Sequence, residues 1–96
     1  MYRLKFSKRF KKDFKKVRRN PRFDSEKLKY IFHSLIKGTE LDRKYNNHKL
    51  AGDFKDYYEC HLAPDILLIY RLIEEKKVIN KVINIDRIGS HSKLFK

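Results

Sequence analysis

Tryptophan is absent from this chain, cysteine occurs once, proline twice and glycine three times, and each scarcity removes a class of structure. A lone Cys60 cannot close an intramolecular disulfide, so no disulfide framework substitutes for a core. No stretch is rich enough in Pro, Gly or Ser to link two domains, and the 96 residues are read as one domain, residues 1–96. The longest apolar run, Ile66 to Tyr70, is far shorter than the roughly 20 residues that cross a bilayer. The start, Met1 to Phe10, lacks the apolar centre of a signal peptide. Neither a lipidation signal nor a helix with Trp anchors and a wide apolar face is present, so a cytoplasmic protein without membrane contact is the expectation. Missing too are G-x-x-x-x-G-K-[ST], G-x-G-x-x-G and G-x-S-x-G, the RNP aromatics of an RRM and the GXXG loop of a KH domain. Nucleotide hydrolysis, acyl transfer and the familiar non-catalytic RNA modules lose support with them.

What the chain has in excess is positive charge. Lys and Arg number 25 against 12 Asp and Glu, a formal +13, so any compact fold carries a strong positive field. A polyanionic partner follows, and nucleic acid is the first choice because phosphate contacts release condensed counterions. Hydrophobic residues make up 41% of the chain, enough for one core but not for a large internal cavity; an active site should be an open surface.

Tyr2 to Phe6 alternates like a short strand, and Ser7 then offers an N-cap to a helix whose Phe10, Phe14 and Val17 form one apolar stripe before Asn20-Pro21 ends it. Most of that helix's other positions are Lys or Arg. Asp24 caps a second helix, with Phe23 and Leu28 placed as a hydrophobic staple, Leu28, Ile31, Phe32 and Leu35 as its buried stripe, His33 outside it, and Gly38 as its stop. Thr39 to Gly52 reads as a polar loop containing His48. Strands follow over Phe54 to His61, Ile66 to Ile73 and, after the charged turn Glu74 to Lys77, Val78 to Ile88, leaving Gly89 to Lys96 as a tail. The order predicts an α+β fold: two N-terminal helices packed on one face of a small, mainly antiparallel sheet, with the other face free to bind.

The chemistry-bearing residues cluster in the second half. A three-residue turn places His61 and Asp65 nearly opposite each other at a hairpin end, where a carboxylate can orient an imidazole for proton transfer. A plain Asp–His hydrogen bond that caps the hairpin is the alternative. His48 and His91 flank the sheet from loops. Three such histidines could be zinc ligands, but no local pair has the spacing of a zinc motif and Cys60 has no partner cysteine, so no metal is expected.

The ordered run N-H-K-L-A-G-D-F-K-D-Y-Y-E-C-H-L-A-P-D-I-L-L-I-Y, followed by R-I-G-S-H-S-K-L-F, resembles the RelE/YafQ family of bacterial toxin endoribonucleases, its YafQ-type branch most closely. The resemblance implies a RelE-like fold and metal-independent, cofactor-free cleavage of messenger RNA on the ribosome, the RNA's own 2′-hydroxyl attacking the adjacent phosphate. It also implies a cognate antitoxin, acidic where it covers this surface. Carried across by motif position, His48, His61, Asp65 and His91 form the acid/base set. Arg87 supports the phosphate, and Phe95, Glu59, Lys49 and Lys93 contact substrate. Within the set, His91 is the general acid, Asp65 or His48 the base, and His61 orients. Phe54 and Tyr58 stand where the family often has Trp and Arg, which removes one expected cation, and Glu59 stands where close relatives often have Asp. Strand parity puts Arg87 on the face of Ile83 and Ile85 unless a bulge re-aims the chain. Against the enzymatic reading stands a non-catalytic RNA-binding or ribosome-blocking protein of the same fold. Messenger cuts that survive a chelator would separate the two.

Overall fold

The computed structural model describes residues 1–73 and 81–95. Strand β1, Arg3–Phe6, leads into helix α1, Lys8–Val17, which is started by Ser7: its hydroxyl oxygen accepts from the Phe10 N–H at 2.9 Å and its proton goes to the Asp86 carbonyl at 2.6 Å. Helix α2, Ser25–Lys37, is capped by the Asp24 carboxylate, which accepts from the Glu26 N–H at 2.9 Å. Phe23 and Leu28 both reach the core, as the staple predicts. Gly38 ends α2 in the left-handed conformation, φ +72°, and a Cβ there would lie 3.0 Å from the Tyr2 ring. His33 is exposed.

The sheet has one strand more than the four read from the sequence. Its order is β1-β5-β4-β3-β2, with β2 at His48–Lys49, β3 at Tyr58–Ala63, β4 at Ile66–Ile73 and β5 at Val82–Gly89. Three pairings are antiparallel, while β1 lies parallel to β5, Arg3 opposite Val82. Two residues with no apolar alternation give β2 no signal of its own; it forms because it returns along β3, closed by a 2.8 Å bond from the Leu50 N–H to the Tyr57 carbonyl. The expected strand start at Phe54 is instead a turn of 3-10 helix, Gly52–Phe54. The predicted turn Glu74 to Lys77 and the strand residues 78–80 lie outside the described residues. Within the predicted tail, Ser90 caps a short helix α3, His91–Leu94.

The helices cover one face, as predicted. Phe10, Val17, Leu28, Ile31 and Leu35 pack on Leu62, Ile66, Leu68, Tyr70, Ile83, Ile85 and Ile88. Both Ile85 and Ile88 face the core because the β4–β5 register slips between Ile69 and Tyr70: Tyr70 faces Ile85 and Ile69 faces Arg87, leaving Asp86 as the extra residue. This bulge takes Arg87 out of the core row of Ile85 and Ile88, and its guanidinium reaches Asp13 of α1. The face away from the helices is less bare than expected, since Leu67 and Ile69 are buried as well. No described helix is long and apolar enough to cross a membrane.

Candidate active site

On the face away from the helices, one row across the sheet reads His48, Glu59, Ile69, and the adjacent row reads His61, Leu67, Gly89. Glu59 is the centre of the site. Its side chain is 4% exposed, and three imidazoles surround it: His48 Nε2 lies 3.0 Å from Oε2, and His61 Nε2 and His91 Nδ1 each lie 3.6 Å from Oε1. Oε1 is buried and has no hydrogen-bond partner among the described residues. His48 Nδ1 sits 2.8 Å from the Asn46 carbonyl, which can only accept, so that nitrogen carries a proton. Nε2 is then the ring nitrogen that faces Glu59 Oε2, close enough for a proton on either atom to be hydrogen-bonded to the other. His91 exposes 70% of its side chain and is tethered through Nδ1, which leaves Nε2 on the far side of the ring for a substrate atom. Its ring is 4.7 Å from that of Phe95, which meets the exposed Phe54 edge-on at 5.2 Å. Phe95 thus forms a small aromatic shelf beside His91 and takes no place in the core.

The structure splits the residues singled out from the sequence into two groups. His48, Glu59, His61, His91 and Phe95 come together, and Lys49 follows His48 on β2. Asp65, Arg87 and Lys93 instead line a separate cavity of about 300 Å³ between α1, the β3–β4 turn and α3. The expected facing of His61 and Asp65 is not found: His61 is opposite Leu67, and the Asp65 carboxylate is 3.7 Å from Arg22. The hairpin turn is too tight for the pairing, because Ala63 already faces Ile66 and Asp65 falls within the turn itself. Arg87 gives its guanidinium to Asp13 of α1, at 2.7 and 3.1 Å, an arrangement that raises its pKa through the hydrogen bonds.

A family profile described as a bacterial toxin of type II toxin–antitoxin system, YafQ, matches residues 2–96. The chain belongs to this family. It is 34% identical over 93 residues to the mRNA interferase toxin YafQ of Escherichia coli (strain K12), covering 96% of this chain and 94% of the relative. Among solved structures, a metal-bound toxin from Helicobacter pylori is 38% identical with a TM-score of 0.84 over 99% of this chain and 100% of that one. The toxin of the E. coli DinJ–YafQ complex is 31% identical with a TM-score of 0.81 over the whole of both chains. The α+β architecture read from the sequence is the YafQ architecture.

Within this YafQ-family site, one donor atom each from His48, Glu59 and His61 lies within 4.8 Å of the others. Together with the orphaned Oε1, this donor set fits a divalent ion, and two imidazoles with one carboxylate suit zinc, copper or nickel better than magnesium. Strand pairing brings the donors together, so local spacing gave no sign of them.

Sequence reasoning also missed the residues that position the site. Asn46, in the left-handed region at φ 44°, turns the chain so that its carbonyl meets His48. Asn47 accepts a 2.5 Å bond from the Tyr70 hydroxyl, which pins the His48 loop to β4. The Tyr70 pKa is raised, chiefly by burial. Cys60, beside Glu59 in sequence but on the core face, has a thiol pushed up to about 12 by burial and by the Glu59 charge. It is a neutral core residue, not a nucleophile.

Proposed function

We propose that this protein is a toxin whose activity is endoribonucleolytic: it cleaves messenger RNA on the ribosome by acid/base catalysis alone and is neutralised by a cognate antitoxin. The carrying observation is Glu59, a buried carboxylate within 3.0–3.6 Å of three imidazoles. One carboxylate among three basic rings leaves the pocket net positive whenever two or more rings are protonated, which suits a phosphorane gaining negative charge.

In this mechanism the Glu59–His48 pair takes the proton of the 2′-hydroxyl as O2′ bonds to phosphorus. The bond from phosphorus to the 5′ oxygen of the next nucleotide breaks, and His91 gives that oxygen a proton through Nε2. The products are a 2′,3′-cyclic phosphate and a free 5′-hydroxyl. His61 shares the charge on Glu59 and holds the carboxylate in place. Glu59 replaces Asp65 as the acidic partner in this reading, since Asp65 stands outside the histidine group. Well-placed acid and base groups each contribute about 10²- to 10⁴-fold.

A metal held by His48, Glu59 and His61 would act as a Lewis acid, yet it would occupy the nitrogen and oxygen lone pairs that move protons here. Metal and acid/base catalysis are therefore competitors for the same atoms. The antitoxin reading draws support from the E. coli relative solved with DinJ and from the surplus of exposed cations, which an acidic segment would cover.

Growth gives the first test. Expression of this chain alone in bacteria should arrest growth, and His61→Ala or His91→Ala should relieve the arrest while the purified variants keep the wild-type circular dichroism. Equal toxicity of wild type and both variants would rule out the histidine site.

A further inference from the structure

The Lys-rich face of α1 is not uniform: Lys12 and Lys16, one helical turn apart, line the cavity that also holds Asp13, Arg87, Ser90 and Lys93, whereas Lys11 and Lys15 are exposed outside it. Both carboxylates at this cavity already have cations. Asp13 is held by Arg87 at 2.7 and 3.1 Å and by the Ile88 N–H at 3.2 Å, and Asp65 lies 3.7 Å from Arg22. Lys12, Lys16 and Lys93 have no carboxylate within 4 Å among the described residues, so they supply the cavity's net charge. The cavity also adjoins the catalytic group directly. Ser90 lines it, and the next residue, His91, reaches Glu59. A strand whose scissile phosphate sits at His91 therefore runs past this cavity, whose lining includes the residue next to His91.

We propose that this cavity is a phosphate subsite for the nucleotide next to the cleavage point, with Lys12, Lys16 and Lys93 as its cations. Asp13 serves as a positioning residue that keeps Arg87 and the β5 edge in place beneath them. The inference rests on the ribonuclease reading above and extends the substrate contact from the sheet onto α1. Lysine suits such a site because it neutralises a phosphate as a point charge and reads no base, so the subsite holds RNA irrespective of sequence.

The test uses the full purified chain and a single-stranded 2′-O-methyl RNA oligonucleotide, which binds but has no nucleophile. Lys12→Ala with Lys16→Ala is compared with Lys11→Ala with Lys15→Ala, a pair of equal charge on the same helix. The cavity pair should weaken binding about 10-fold or more and flatten the plot of log K against log salt by about 1.4, the single-strand value for two lost phosphate contacts. The control pair should do neither. In cleavage assays the cavity pair should raise KM and leave kcat near wild type. Equal losses in both pairs would reduce the cavity to diffuse surface charge and overturn the proposal. So would unchanged RNA binding with lost affinity for an acidic antitoxin segment, which would make the cavity a protein contact. Wild-type cleavage with no effect of the cavity pair would sink the subsite but spare the ribonuclease reading. Selective loss of RNA binding in the cavity pair, with no cleavage even by the wild type, would sink the ribonuclease reading and leave the cavity a phosphate site with no cleavage point beside it.

Discussion

A carboxylate that is 4% exposed and has one unpartnered oxygen is an expensive residue to keep in a small protein unless charge surrounds it. Glu59 meets that condition with His48, His61 and His91, and the same atoms that stabilise it are those that move protons in the proposed mechanism. This overlap predicts how metals behave. Micromolar zinc or copper should inhibit RNA cleavage and a chelator should restore it fully, and His48→Ala should weaken metal binding measured directly by calorimetry. Titration of activity against metal, followed by chelator, checks this; stimulation by zinc in place of inhibition would contradict the acid/base mechanism. Residue identities were the most legible part of the site, since His48, His61 and His91 stand in recognisable motifs. The central role of Glu59 was not legible. It depends on which residue lies opposite His48 and on how deeply that row is buried, and neither is written in local sequence.

At the scale of elements, the two long helices could be drawn from the sequence almost residue by residue because each carries its own caps: Ser7, Asp24 and Gly38 perform the roles their chemistry predicts. The sheet resisted the same treatment. β1 pairs with β5 across most of the chain, and β2 is two residues long. The bulge at Asp86 reverses side-chain parity, and only its need was visible, as the awkward placing of Arg87. What secures that bulged strand is Asp13, which accepts from Arg87 and from the Ile88 N–H. Asp13→Ala removes the acceptor they share. With part of Arg87 still reached by water, the loss should be about 2 kcal/mol. Urea denaturation should also show that Asp13→Ala and Arg87→Ala are strongly non-additive in the double variant. A cost below about 0.5 kcal/mol would mean that the pair is ornamental, like an exposed surface ion pair.

Across the whole molecule, the formal charge of +13 and the proposed catalytic group divide the labour of recognition. The histidines and Glu59 occupy the face away from the helices, while the basic helix α1 flanks the β5 edge and carries cations to the adjoining cavity. Charge alone supplies affinity for any polyanion, RNA or acidic antitoxin, and says nothing of chemistry. The claim of chemistry therefore stands on the carboxylate and its three imidazoles. The most direct measurement is the chemical nature of the ends formed when the purified protein acts on a messenger in a translation reaction containing excess chelator. The account predicts a 2′,3′-cyclic phosphate and a 5′-hydroxyl, formed at the wild-type rate despite the chelator and at least about 100-fold more slowly by Glu59→Gln. Ends bearing a 3′-hydroxyl and a 5′-phosphate, cleavage that disappears with the metal, or translation arrested on an intact messenger would each contradict it.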